Sequence, residues 1–167
     1  GQCAPKQPRQ ETFMAKAKTG VLPITHPEMT RFNISLEDGV EMVLWALEKA
    51  IGGEILVPKI PSYRIMDVAE AIGPNCKKEM VGIRPGEKLH EEMITESDSH
   101  NTLDLGPYYA ITPTDSKIVY NKYLENGLAQ TVPPSFRYDS GSNPEFLSVQ
   151  EMRDLIAKNI QSEFIPF

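Results

Sequence analysis

Ser35-Leu-Glu-Asp38 constrains the fold more than any other stretch, because a capping box here opens directly into a helical apolar period. In such a box the serine and the acidic residue three positions on each satisfy a backbone N–H that the first helical turn leaves free. Leu36, Val40, Val43, Leu44, Leu47 and Ile51 follow at three-to-four spacing, which predicts a helix from about Leu36 to Ala50 with one buried face. Trp45 and the neighbouring methionines read as packing residues. Gly52-Gly53 ends the helix, Glu54-Ile-Leu-Val-Pro58 has the short apolar form of a strand, and Pro58 and Pro61 impose an extended, turning path.

The same signals recur downstream. A helix is predicted from Met66 to Ile72, stopped at Gly73-Pro74, then a strand over Glu79–Ile83 and a helix over Glu87–Ile94. Thr95–Asp104 reads as a polar loop, Tyr108–Thr112 as a strand, and Thr114–Ser142, marked by prolines and poorly periodic, as irregular chain. Ser148-Val-Gln-Glu151 is a second capping box, opening a helix from Val149 to about Ile160 with Met152, Leu155, Ile156 and Ile160 on one face. Residues 1–18 are polar and proline-broken and read as a disordered or borrowed lead, within which Phe13–Lys18 is the end of a helix stopped by Gly20.

At 167 residues the chain fits one domain with a real core. A net charge of -6 argues against a broad nucleic-acid footprint. The sequence has no apolar run of membrane-spanning length, so no membrane partner and a cytoplasmic location are expected. Cys3 and Cys76 lack any CxxC spacing, and His26, His90 and His100 share no ligand spacing, so free thiols in a reducing compartment and no metal are expected. Charge is unevenly spread. Between Lys59 and Lys88 six bases face four acids, leaving +2 there and -8 over the remainder, a local field suited to a small anion.

Within that stretch, Gly82-Ile-Arg-Pro-Gly-Glu-Lys-Leu-His90 gathers a fixed cation, a rigid turn and a carboxylate. Arg84 offers a planar fork of donors to phosphate oxygens, Pro85-Gly86 makes the turn, and Glu87 can accept from a ribose hydroxyl. The alternative for the motif alone is a connection whose Arg and Glu are merely solvated.

In order and spacing, Met29-Thr-Arg-Phe32, Val57-Pro-Lys-Ile-Pro61 and Arg84-Pro-Gly-Glu-Lys88, with looser matches from about Thr19 to Ile160, resemble the C-terminal half of the inverting UDP-N-acetylglucosamine 4,6-dehydratases. These belong to the extended short-chain dehydrogenase/reductase superfamily. The resemblance implies a small mixed α/β substrate-binding domain over residues 19–167, preceded by a non-family lead over residues 1–18, without the Rossmann half that carries NADP. It implies a UDP-sugar grip. Arg31 and Arg84 fall where relatives direct arginines at the pyrophosphate, Glu87 at the ribose position, and Lys59 and Ser62 in the neighbourhood of the site. For Arg31 the other reading is an ion pair with Glu28 or Glu37. The family's glycine-rich dinucleotide fingerprint and its Tyr-x-x-x-Lys pair have no counterpart here: none of the six tyrosines has Lys four residues later. No catalytic or cofactor residue is therefore assigned. The chain alone is expected to be inactive, to need a cofactor-binding N-terminal partner, and to self-associate through the face such a partner would cover; a non-catalytic nucleotide-binding or oligomerisation module is the alternative.

Overall fold

The structure, a computed structural model, describes residues 8–160 and 163–167. It is mixed α/β, as expected, but resolves into two compact units where one domain was predicted. The first gathers the chain up to Asn33, Pro61–Glu91 and Asn143–Phe167; the second holds Ile34–Ile60 and Glu92–Ser142.

Unit 1 is built on α1 (Pro8–Ala17), β1 (Val21–Ile24) and β2 (Thr30–Phe32), then β4 (Ser62–Arg64), α3 (Ile65–Ile72), β5 (Lys77–Met80) and α5 (Val149–Asn159). β1 pairs in parallel with β5, and β2 antiparallel with β4. The core is centred on α3, where Ile65, Val68, Ala69, Ala71 and Ile72 are all buried, a spacing that covers most of a short helix's surface. Leu22, Ile24, Met29, Met152 and Ile156 close around them. The carbonyls left free at the end of α3 find partners, since Arg153 of α5 donates through Nε to Ala71 O at 3.1 Å and through Nη2 to Glu70 O at 3.1 Å. The capping box at Ser148 forms as read, with the Ser148 hydroxyl accepting from Glu151 N.

Two readings of unit 1 need correcting. Pro8–Ala17, placed in a disordered lead, is helix α1, and its Phe13 and Ala17 are buried in the core; the helix end expected at Gly20 is the part that was legible. Cys3 lies outside the described residues. In addition, no helix forms over Glu87–Ile94, because the Lys88 and Leu89 carbonyls are taken by Arg31 and Thr30, and Glu92–Ile94 becomes strand β6 of the other unit.

Gly73, the C-cap of α3, shows how tightly this core closes. A Cβ there would stand 2.6 Å from Cys76 Sγ and 3.0 Å from Leu22 Cδ1. Gly73→Ala is expected to destabilise unit 1 by about 1–3 kcal/mol through overpacking, read as a lowered urea midpoint at unchanged m-value. Cys76→Ser in the Gly73→Ala background separates a clash with the thiol from one with Leu22.

Unit 2 contains α2 (Leu36–Lys49), β3 (Ile55–Pro58), β6 (Glu92–Ile94), a 3-10 turn (Glu96–Asn101), β7 (Thr102–Asp104), β8 (Tyr108–Ile111), α4 (Ile118–Glu125), β9 (Gln130–Thr131) and β10 (Tyr138–Asp139). Its four-stranded antiparallel sheet runs β3-β8-β7-β9, and β6 pairs with β10. Leu103, Leu105, Ala110 and Tyr123 form the core, with Trp45 packed against it and edge-on to Tyr108. The segment read as irregular holds α4, whose inward positions Val119, Tyr120, Tyr123 and Leu124 have helical spacing over too few residues to stand out among the prolines.

Helix α2 begins and ends where predicted, with the full Ser35–Asp38 box. Its packing differs from the expectation. No residue of α2 is buried: Leu36 is 70% exposed, Leu47 81%, and Val40, Val43 and Leu44 each half or more. The helix rests on its unit through the opposite side, by way of Trp45.

Candidate functional site

Pro85 and Gly86 occupy the central positions of a tight turn, closed by Glu87 N donating to Arg84 O at 3.0 Å. Gly86 has φ +80°, the left-handed conformation that the third residue of a Pro-Gly type II turn requires. The Glu87 carboxylate also accepts from Arg84 N at 3.4 Å, so the turn is tied from inside. Arg84, Pro85 and Gly86 are exposed, and the loop leaves directly from β5, in parallel register with β1.

Arg31 lies beneath this loop. It sits on β2 with 5% of its surface exposed. Nη1 donates to Thr30 O at 2.6 Å and Leu89 O at 3.1 Å, and Nη2 donates to Lys88 O at 2.8 Å. Two carboxylates flank it, Glu87 at 3.7 Å and Glu91 at 3.7 Å. Glu91 also accepts from Phe32 N at 2.9 Å, Thr30 N donates to Leu89 O at 3.1 Å, and the Thr30 hydroxyl meets His90 Nδ1 at 2.7 Å. Residues 87–91 are thus stitched to β2 along their whole length. A guanidinium suits this place because its planar fork serves several carbonyls at once, which a lysine ammonium cannot do in one plane.

The predicted residues therefore divide. Arg31, Arg84 and Glu87 come together in unit 1, with Arg84 facing solvent and Arg31 turned inward. Glu87 and Glu91, which the sequence reading did not consider, are ion partners of Arg31. Ser62, in the same unit, is fully buried on β4; its hydroxyl accepts from Asn143 Nδ2 at 3.0 Å, and its backbone bonds to Glu145 O and Leu147 N. Lys59 belongs to unit 2, where Nζ pairs with Asp104 at 2.7 Å and stands 4.6 Å from the centre of the Tyr109 ring. Sequence reasoning missed Glu91 and His90 as loop anchors. The carboxylate pair Glu87 and Glu91, four apart, was the available signal, but it was read as part of a helix.

Among the described residues no group of three or more His, Cys, Asp or Glu side chains could hold a metal, and no helix is long and apolar enough to cross a membrane.

A family model described as polysaccharide biosynthesis protein matches residues 11–113. The chain belongs to that family. The match takes in residues 11–18, which the sequence reading had set outside it. This polysaccharide biosynthesis family member is 48% identical over 141 residues to the inverting UDP-N-acetylglucosamine 4,6-dehydratase of Campylobacter jejuni subsp. jejuni serotype O:23/36 (strain 81-176), covering 81% of this chain and 42% of the relative. It is 36% identical over 149 residues to the UDP-glucose 4-epimerase of Rickettsia canadensis (strain McKiel), covering 86% of this chain and 43% of that protein. Among solved structures it is similar to Pen from Bacillus thuringiensis, at TM-score 0.70 and 26% identity, over 89% of this chain and 45% of that one. The chain thus spans well under half the length of the curated relatives it matches.

Proposed function

We propose that the chain is the UDP-sugar-gripping part of a nucleotide-sugar 4,6-dehydratase, inactive by itself and completed by a cofactor-binding partner that supplies NADP and the acid/base groups. The observation that carries this reading is the exposed Arg84 turn, held in place by the buried Arg31 network, in a chain 48% identical to an inverting UDP-N-acetylglucosamine 4,6-dehydratase. In this reading Arg84 meets the diphosphate, Glu87 accepts from the ribose, and Arg31 and Ser62 fix the backbone on which they stand. The partner's cofactor chemistry would withdraw and return a hydride at the sugar, while the present chain binds and orients the nucleotide.

A charge-assisted hydrogen bond contributes about 1.5–3 kcal/mol, against an association cost of about 4–15 kcal/mol, so a partial grip should bind UDP only at about millimolar concentration. A UDP titration followed by amide NMR is expected to give saturable shifts at residues 84–91 in the wild type and at least a tenfold weaker response in Arg84→Ala. Arg84 is exposed, so the variant keeps its fold. A folded wild type with no shifts at several millimolar UDP refutes the nucleotide reading. The exposed apolar stripe of α2 favours the second reading, an oligomerisation module, which predicts that Arg84→Ala changes nothing.

A further inference from the structure

Asn126-Gly127 is the one Asn-Gly pair in the sequence. Such a pair carries its own reaction, because the backbone nitrogen after an asparagine can reach the side-chain carbonyl carbon and a glycine puts no side chain in the way. Every other asparagine here is followed by proline or by a residue with a side chain. Asn126 is also where α4 stops: it is the C-cap, at φ -75° and ψ -4°, and Gly127 turns the chain away at φ +66°. Residues 125–128 are all exposed, and a Cβ built on Gly127 would meet nothing within 4 Å. Water therefore has access to the pair, and a ring formed there has room.

One restraint opposes the reaction. Gly127 N donates to Leu124 O at 3.1 Å, and with ψ near zero the nitrogen does not face the Asn126 side chain. Ring closure needs that bond to open and ψ to rotate. Fraying of this kind costs little at the exposed last turn of a short helix. Asp38-Gly39 shows the opposite case. It lies in the first turn of α2, where the Asp38 carboxylate accepts from Ser35 N at 3.0 Å and Gly39 N donates to Ser35 O at 3.2 Å. Both reacting groups are held there, and an ionised carboxylate is a poorer acyl donor than a carboxamide.

We infer that Asn126 is a site of spontaneous covalent modification in the folded chain. The Gly127 nitrogen bonds to Asn126 Cγ, the Cγ–Nδ2 bond breaks, and ammonia leaves with the former Gly127 amide hydrogen, giving a five-membered succinimide. Water then opens the ring at either carbonyl and leaves an aspartate, or its β-linked isomer, at this position. Both products put a negative charge at the C-terminal end of α4, where the helix dipole disfavours one. The isomer also adds a methylene to the main chain just before Ala129, which packs on the unit 2 core, and before β9, whose Gln130 and Thr131 pair with Asp104 and Leu103. The modification thus loosens the β9 edge of the four-stranded sheet.

Two measurements test it. In the first, the full chain is held in mildly alkaline buffer and sampled over weeks. Its tryptic peptide over residues 123–137, released by cleavage after Lys122 and Arg137, is followed by mass and chromatography beside the same peptide made synthetically. The mass change of amide to hydroxyl is expected in two separable products, at a rate within about tenfold of the free peptide, as opening of one helical turn allows. Asn126→Gln, whose longer side chain closes the larger ring far more slowly, should show neither product. A folded chain that converts more slowly than this, or faster at another asparagine, overturns the assignment. The second measurement is amide hydrogen exchange in Asn126→Asp, which changes an exposed side chain and keeps the fold. Exchange over residues 124–131 about two- to fivefold faster than in wild type, with α3 unchanged, is expected from the charge at the helix end. Unchanged exchange over those residues overturns the loosening of β9.

Discussion

Arg31→Ala is expected to cost unit 1 about 3–5 kcal/mol, the magnitude for removing one partner from a buried charged network. The reason lies in what is left behind. The Lys88 and Leu89 carbonyls and Thr30 O lose a donor, and a buried acceptor without one costs about 1–3 kcal/mol. Glu87 and Glu91 then lose the cation between them. Urea unfolding followed through amides of β2 and β4 measures the loss. Arg31→Lys should recover less than half, since one ammonium cannot reproduce the fork. Arg64→Ala is the control: its ion pair with Asp67 spans 3.7 Å with the arginine side chain half-exposed, and it should cost under about 1 kcal/mol. A cost equally small for Arg31→Ala would show that the loop does not depend on this network. The same variant should lose the UDP response even though Arg84 is intact, because the turn presenting Arg84 is anchored through residues 87–91.

Tyr123→Ala is expected to be as damaging to unit 2, by about 3–5 kcal/mol, since a fully buried aromatic ring is removed from a small core. The phenol does a second job. It donates to Glu54, whose carboxylate also accepts from Ile51 N at 2.8 Å and Gly52 N at 2.7 Å, closing the turn between α2 and β3. Tyr123→Phe isolates that part, at about 1–3 kcal/mol. Burial by itself would raise the Glu54 pKa, but the hydrogen bonds from Tyr123 and the turn amides outweigh it and leave the carboxyl below its ordinary range. Its contribution is therefore complete above the unfolded carboxylate pKa of about 4.3 and is lost as pH falls through the lower folded value. Asp139 adds in the same direction: burial raises it, and Ser142, Gly141 and Arg137 together bring it down. Burial, followed by the bond to Glu54, raises the Tyr123 pKa, so that contribution is complete below the unfolded phenol pKa of about 10 and fades as pH climbs past it. Unit 2 should thus weaken at both ends of the pH scale, and Glu54→Gln should flatten the acid limb. An acid limb as steep in Glu54→Gln as in wild type would assign it to other carboxylates.

Local signals read most reliably where backbone and side chain agree. Both capping boxes formed at the residues named, because Ser35 with Asp38 and Ser148 with Glu151 satisfy amides without reference to the rest of the fold. Gly73 stopped α3 for the same reason. What failed was long-range. The chain from Glu87 onward has helix-forming composition, yet its carbonyls are claimed by Arg31 and Thr30, some 57–60 residues earlier, and no window of sequence contains that competition. Helix α2 was placed correctly and its burial was not, since an apolar period states that a face will be covered without saying by which chain. At the site, the cluster of Arg31, Arg84 and Glu87 was legible from the motif blocks; that Arg31 points inward was not, because an arginine among carbonyls and one awaiting phosphate have the same letter and neighbours.

The division into units follows no single cut of the chain, which crosses between them after Asn33, Ile60, Glu91 and Ser142. During synthesis every residue of unit 2 is therefore made before α5, whose Met152 and Ile156 complete the unit 1 core. Unit 2 can close while α1, β1 and α3 still wait on the nascent chain for a partner more than 75 residues downstream of α3. Loop-closure entropy of that span slows the last step and leaves the apolar face of α3 as the surface most in need of protection on the ribosome.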